Sequence, residues 1–158
     1  MAVDELGFEA WMRQWADIIV RFAHHHGGPW MTAQDVAQET FLRAYRHTLS
    51  HGALPSSGWL FRVASRLMID EYRRQSREVV GDERLQGATY ELDIDRQLVV
   101  LEALESLSER DRECMALFYF RDWSLEEIAR HLKIPSATVR TRLFRARERF
   151  RHLWEVSQ

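Results

Sequence analysis

Apolar residues recur at spacings of three and four along almost the whole chain, and this periodicity restricts the fold more than any other feature. In the last part of the chain, for example, Val139, Leu143, Ala146 and Phe150 fall on one face of a helix. No segment shows a convincing alternation of apolar and polar residues, which would indicate a strand. The sequence therefore predicts an all-α fold.

Breaks in the pattern divide the first half into three helices. These span about residues 4–25, Thr32 to about 47, and Gly58 to Gln75. Gly27, Gly28 and Pro29 interrupt the chain after the first helix, and the segment from His51 to Ser57 holds a glycine and a proline and is expected to be a loop. Thr32 is a suitable N-cap for the second helix. The first half is predicted to be a three-helix unit.

The second half shows a different grouping of helices. A helical stretch begins at Leu98, and Ser108 can cap the helix after it. Ser124 and Glu127 form a capping box for a short helix, which ends at Lys133, Ile134 and Pro135. Ser136 is then expected to cap the last helix. Two helices joined by so short a turn indicate a helix-turn-helix.

The net charge of −2 over 158 residues hides an uneven distribution of charge. Residues 75–97 carry about −3 and lack a helical apolar stripe, which is typical of an acidic linker. Residues 136–152 carry about +5, supplied by arginines. We therefore predict two small helical domains, 1–77 and 98–158, joined by an acidic linker at 78–97.

The basic last helix is a candidate DNA-reading element. A basic run is often only a solvated helix face, but a recognition helix places its first turns against base edges and its later basic residues against phosphates. Arginine pairs bidentately with guanine or phosphate. Base readers are expected among Arg140, Thr141, Phe144 and Arg145, while Arg147 and Arg151 suit the backbone. The full predicted contact set is Ser136, Thr138, Arg140, Thr141, Phe144, Arg145 and Arg147.

Several segments, in order, resemble one protein family. Ala33 to Arg46 resembles the polymerase-binding helix of sigma region two, and Trp59 to Ala64 followed by Ile69 to Arg74 resembles its promoter-melting helix. Leu104 to Glu148, which includes the helix-turn-helix, resembles region four. The chain is similar to extracytoplasmic-function (ECF) sigma factors, the minimal two-domain class of the sigma-70 family.

The resemblance assigns roles to these faces. It implies that Asp35, Gln38, Glu39 and Leu42, on one stripe of the second helix, dock on the clamp-helix coiled coil of core RNA polymerase. It implies that the third helix binds and melts the −10 promoter DNA, that the last helix reads −35, and that the loop at about 48–57 captures a flipped base. The −10 contacts are expected at Phe61, Arg62, Arg66, Arg73 and Arg74. The family also implies control by an anti-sigma protein.

Some features lead away from the family pattern or allow a second interpretation. Arg66 stands where the family usually has asparagine, and Ala137 where it has glycine. For Trp59, packing in the core is the favoured interpretation. For Phe61, core packing and DNA binding are competing interpretations. The resemblance implies a linker that threads towards the RNA exit path with carboxylates mimicking nucleic acid, although a plain soluble connector fits its composition equally well.

Neither a cofactor nor an enzyme activity is expected. The single cysteine, Cys114, excludes a disulfide framework and suits the core of a protein in a reducing compartment. His24, His25 and His26 point about 100° apart on a helix and cannot all face one metal ion. No known catalytic motif occurs. No apolar run is long enough for membrane insertion and no leader is recognisable, so we expect a cytoplasmic protein.

Two other classes of function compete with this interpretation. A helix-turn-helix regulator that binds an operator as a dimer, without replacing sigma, would leave the stripe of Asp35, Gln38 and Glu39 without a role. An all-helical interaction protein or metal-dependent hydrolase would need carboxylate and histidine pairs at ligand spacing, which are not found. The leading hypothesis is a sigma factor that performs no chemistry itself.

Overall fold

The computed structural model describes residues 4–27, 31–79 and 93–158. Within these residues the chain forms seven helices and no strand, so the predicted all-α class is confirmed. The helices are α1 (Glu5–His26), α2 (Ala33–His51), α3 (Ser57–Val79), α4 (Ile94–Ser106), α5 (Glu109–Phe120), α6 (Leu125–Leu132) and α7 (Ser136–Ser157). Each of these described helices is too short or too polar to cross a membrane. The predicted break at Gly28 and Pro29 lies outside the described residues.

Three of the predicted N-caps are confirmed. The hydroxyls of Thr32, Ser108 and Ser124 each accept a hydrogen bond from the backbone N–H three residues later, at 3.1, 3.2 and 3.1 Å. The prediction for Ser136 is wrong, because Ser136 is the first residue of α7 and makes no capping bond. Pro135 occupies the cap position there, and its ring holds φ at −64°. The chain can therefore enter α7 directly from an extended residue.

Two helix boundaries differ from those predicted. Helix α2 runs on to His51 and ends where Gly52 adopts a left-handed φ of 71°, so the following loop is confined to residues 52–56. Both ends of the predicted linker at 78–97 are helical, because α3 continues to Val79 and α4 begins at Ile94. The Asp93 carboxylate caps α4 with a bond to the Arg96 N–H. Residues 80–92 lie outside the described part of the chain.

Helices α1, α2 and α3 pack around an aromatic core. Ile18, Phe22, Leu60 and Phe61 are completely buried, and the Phe61 ring meets the Phe22 ring edge-on with centroids 5.0 Å apart. Phe61 is therefore not accessible to DNA in this arrangement of the helices, and the −10 contact expected of it stays a prediction. Neighbouring residues of an aromatic run point in different directions on a helix, and here the apolar face of α3 turns Phe61 inward.

The helix-turn-helix of α6 and α7 follows its predicted stripe. Val139, Leu143 and Ala146 are buried, and Phe150 is half-buried. The turn between the helices depends on Lys133, which closes α6 in the left-handed region at φ 57°. Cys114 of α5 is fully buried as expected, and burial raises the pKa of its thiol.

The two helical units pack against each other. Helix α4 contacts both α3 and α7, while α5 contacts α1 and α3. The ring of Phe120, at the end of α5, lies 5.9 Å from Phe22 and 6.1 Å from Phe61. Arg62 of α3 donates from Nε to Glu105 of α4 at 2.7 Å. Both apolar and charged contacts therefore join the units.

Arg112 forms a dense set of hydrogen bonds at the junction between the two units. Its buried guanidinium donates from Nε to the Leu104 carbonyl at 2.7 Å and from Nη2 to the carbonyls of Glu105 and Leu107 at 3.2 and 2.7 Å. Nη1 donates to Ser57 Oγ at 3.0 Å and to Glu109. All five guanidinium N–H groups thus have acceptors. Arg112 satisfies carbonyls at the C-terminal end of α4 and ties them to the start of α3.

We predict that Arg112→Ala lowers the free energy of unfolding by about 3–5 kcal/mol, because it leaves several buried acceptors without donors. Urea unfolding followed by circular dichroism measures this. Arg110→Ala, on the same helix but exposed, is the control and should change stability by less than about 0.5 kcal/mol. Equal effects of the two substitutions would contradict the role given to Arg112.

Candidate nucleic-acid and protein interfaces

The predicted polar stripe of α2 lies on an exposed face. Asp35, Gln38 and Leu42 are exposed, and Glu39 is half-buried. The carboxylate of Glu39 accepts a hydrogen bond from Arg43 Nε at 3.0 Å. The four predicted residues therefore lie together on one surface, and one of them, Glu39, is engaged in an ion pair with Arg43.

This surface extends further along α2 than the sequence analysis proposed. Tyr45 and Leu49 are also exposed, by 37% and 68%. Together with Asp35, Gln38 and Leu42 they are spaced 3, 4, 3 and 4, which is the spacing of a coiled-coil seam. The same spacing in the sequence could have identified them. We call these five residues the α2 seam, which is polar at its start and apolar at its end.

The arginines of α3 form a second surface. Arg62, Arg66, Arg73 and Arg77 are exposed, and their spacing places them on one face of the helix. Arg74 lies to the side of this face and forms an ion pair with Glu71. The Glu105 carboxylate beside Arg62 raises the pKa of that guanidinium. The predicted basic residues of α3 therefore share an accessible surface, apart from Arg74, while one of them is held by α4.

An aromatic cluster borders the loop at residues 52–56. The His47 and His51 rings stack with centroids 4.0 Å apart, and the Trp59 ring lies 5.1 Å from His47. The sequence pattern indicates packing for Trp59 and assigns no role to the two histidines. Burial and the neighbouring His51 lower the pKa of His47, so the stack is favoured when it is uncharged.

The first turns of α7 present the predicted reading residues. Arg140, Thr141 and Phe144 are exposed, Phe144 by 62%. Arg140 has no acidic partner among the described residues. Ser136 and Thr138 are half-buried at the start of the helix. This part of α7 is open to a partner.

Arg145 and Arg147 are also predicted to contact DNA, but in the structure both side chains turn towards α5. Arg145 grips the buried carboxylate of Asp111 with Nε at 3.2 Å and Nη2 at 2.9 Å. Arg147 donates from Nε to the Tyr119 hydroxyl at 2.6 Å, and its guanidinium lies over the Phe118 ring. The partner residues are about thirty positions away in the sequence, so the periodicity of α7 could not reveal these contacts.

The histidines at the end of α1 do not converge. The His24 and His25 rings are exposed, whereas His26 turns inward and lies 4.8 Å from the Phe22 ring. Within residues 4–27, 31–79 and 93–158, no group of three or more His, Cys, Asp or Glu side chains could hold a metal ion. Burial, followed by the positive charges of His25 and Arg96, lowers the pKa of His26 to about 4.

Comparison with protein families gives two matches. Sigma-70 region 2 matches residues 11–78, which include most of α1–α3. Sigma-70, region 4 matches residues 97–150, which include most of α4–α7. The two matches occur in the order proposed from the sequence.

Individual relatives agree with these matches. The chain is 36% identical over 137 residues to the ECF RNA polymerase sigma factor SigL of Mycobacterium tuberculosis, covering 81% of this chain and 77% of the relative. It is 32% identical over 129 residues to the ECF RNA polymerase sigma factor SigM of Bacillus subtilis, covering 77% and 79%. Among solved structures, CnrH in complex with the cytosolic domain of CnrY matches with a TM-score of 0.41 and 23% identity, covering 98% of this chain and 92% of that one.

The shifted pKa of His26 makes stability depend on pH. Between pH 6.5 and 4 the unfolded chain binds a proton at this position and the folded chain does not, so stability falls as the pH falls through this range, by up to about 3 kcal/mol. His26→Gln should flatten this part of the profile of unfolding free energy against pH. His24→Gln, at an exposed ring, should leave it unchanged. Identical slopes for both variants and the parent would contradict the assignment.

Proposed function

The chain belongs to the ECF RNA polymerase sigma factors, and on that premise we propose which of its surfaces bind core polymerase and which bind the promoter. As an alternative sigma factor, it directs promoter-specific transcription initiation. The observation that carries this conclusion is the presence of regions 2 and 4 in one chain. An operator-binding regulator is not favoured, because it would need only the helix-turn-helix.

We assign core binding and −10 recognition to the unit α1–α3, and −35 recognition to the unit α4–α7, with the acidic segment between them as the connector. The catalysis of RNA synthesis belongs to the polymerase. In this proposal the chain contributes specificity only, is not an enzyme and needs no cofactor. It acts in the cytoplasm with the polymerase, and an anti-sigma protein is a further partner implied by the family.

The α2 seam is the proposed docking surface for core polymerase. Its spacing suits a coiled-coil partner such as the clamp helices, since apolar residues at a and d positions insert between the residues of a facing helix. Asp35 and Gln38 would give polar contacts at one end, while Leu42, Tyr45 and Leu49 would bury apolar surface at the other. The exposure of Leu49, at 68%, supports its use in an interface.

The arginine face of α3 is the proposed −10 surface. Arg62, Arg66 and Arg73 would track the phosphates of the duplex and of the opened strand. The rings of His47 and Trp59 lie next to the loop at residues 52–56, where the family captures a flipped base. Aromatic rings can stack on such a base and offset the loss of its duplex stacking.

The start of α7 is the proposed −35 reader, with Arg140 as its leading residue. Arg145 and Arg147 would join it only after leaving Asp111 and Tyr119. Arg145 is largely exposed, but its partner Asp111 is only 10% exposed, so releasing Arg145 leaves a buried carboxylate unpaired and DNA must offset that cost. The Arg62–Glu105 pair is more accessible to water, so DNA competes more readily for Arg62.

Run-off transcription on a promoter library, with purified core polymerase, tests the function. We expect promoter-specific transcripts that core alone does not give. Leu49→Ala should weaken binding to core about 5- to 30-fold, because burying an exposed leucine contributes roughly 1–2 kcal/mol, and transcription at limiting protein should fall accordingly. Ser50→Ala, exposed and about 100° away from Leu49 around α2, is the control. A protein that shifts promoter duplex but adds no transcript would be a regulator instead.

For −35 recognition we predict that Arg140→Ala weakens binding to the preferred duplex about 10-fold and relaxes the preference at one base position, since a bidentate arginine contact is worth roughly 1–3 kcal/mol. Binding to a library of −35 sequences, at fixed salt, measures this. Arg130→Ala, exposed on α6, serves as the control for loss of charge. An Arg140→Ala protein with an unchanged sequence preference would remove Arg140 from the reading set.

A further inference from the structure

A cavity of about 460 Å³ lies where the end of α1 meets α4, α5 and α7. Its wall is apolar and is formed by Val100, Leu104, Met115, Phe120 and Phe150. This volume falls in the range of small-molecule sites, about 300–1,000 Å³. Apart from Arg147, the cavity shares no lining residue with the surfaces assigned above to polymerase or to DNA.

Two polar side chains on the cavity form a pre-organised anion-binding pair. Arg147 and Tyr119 both line the space, and Arg147 Nε donates to the Tyr119 hydroxyl oxygen at 2.6 Å. Because this hydroxyl accepts the arginine bond, its own proton remains available to donate. The terminal nitrogens of Arg147 have no acidic partner among the described residues. A carboxylate could therefore receive bonds from both side chains.

The cationic side chains around the cavity are arginines. Arg147 lines the cavity and Arg96 lines the adjoining groove between α4 and α7, where Arg151 is paired with Glu148. No acidic side chain of the described residues lines either space. His26 stays neutral at physiological pH. The site is thus apolar inside and positive at its edge.

We propose that this cavity binds a small amphipathic monoanion, with a hydrocarbon or aromatic body and one carboxylate. The body would lie against Val100, Met115 and Phe150, and the carboxylate would bind Arg147 and Tyr119. A partner helix fits the space poorly. A single turn, about 10–12 Å across and 5.4 Å long, already occupies a comparable volume.

Such a ligand would occupy a space that both helical units enclose. His25 and His26 belong to α1, and the remaining lining residues belong to α4, α5 and α7. A ligand that binds only when the units are together stabilises that arrangement by mass action. It would also hold Arg147 towards α5 rather than towards DNA. Binding thereby acts on the sigma function through the arrangement of its two DNA-contacting units.

The test uses decanoate as the probe, titrated into the full chain by isothermal calorimetry at low concentration. We expect saturable binding of one molecule per chain and a raised thermal midpoint. Arg147→Gln should weaken binding at least about tenfold, because a charge-assisted bond is lost. Val100→Trp should abolish binding by filling the cavity. Arg140→Gln, at an exposed arginine of the same helix, should leave the affinity unchanged.

Circular dichroism establishes that each variant is folded, and Tyr119→Phe serves in place of Arg147→Gln if the latter does not fold. Decyltrimethylammonium, with the same body and the opposite charge, should bind at least tenfold more weakly than decanoate. Absence of saturable decanoate binding would overturn the proposal. So would an equal affinity of the parent and Arg147→Gln, or equal binding of the two probes. None of these outcomes depends on transcription, so this site is tested separately from the sigma function.

Discussion

The buried guanidinium of Arg112 is the interaction on which the arrangement of the two units depends. Its charge is removed from water, which is tolerable only because all five donors find acceptors. Those acceptors belong to the end of α4, the start of α5 and the start of α3. Gly58 permits this approach, since a Cβ there would stand 3.1 Å from the guanidinium. The backbone of α3 and the turn between α4 and α5 are therefore fixed against each other.

Helix α5, which carries Arg112, also sets the position of the DNA-facing helix α7. Along one side of α5, Asp111 holds Arg145, and Tyr119 holds Arg147. Between them, Arg142 reaches the Cys114 sulfur at 4.0 Å. One helix thus uses its start to join the two units and its side to orient the arginines of α7. The state of the recognition helix and the packing of the units are coupled through α5.

How much of the structure the sequence predicts depends on how far apart along the chain the interacting residues lie. The stripe of α7 and the caps at Thr32, Ser108 and Ser124 depend on residues three or four positions apart, and they were predicted correctly. For Phe61 the sequence allows both core packing and a DNA contact, because an aromatic residue shows the same pattern in either place, and the packing against Phe22 puts it in the core. Arg145 and Asp111 are 34 positions apart, and nothing local in either segment indicates that they meet. The stripe proposed to dock on polymerase is recognisable from its polar members, whereas apolar residues such as Tyr45 and Leu49 have the same spacing in a buried face.

The ion pairs and the apolar contacts between the units differ in what they contribute. Arg62–Glu105 and Arg121–Asp17 are accessible to water, so their net contribution to the association is small and DNA phosphates can replace the carboxylates. The Phe120 ring, in contrast, is shielded from water by packing on Phe22 and Phe61. A DNA phosphate cannot replace this apolar contact. Separation of the units is therefore opposed mainly by Phe120 and Arg112. A partner that draws the units apart must offer apolar surface or compensating hydrogen bonds, and in our proposal core polymerase supplies that binding energy at the α2 seam.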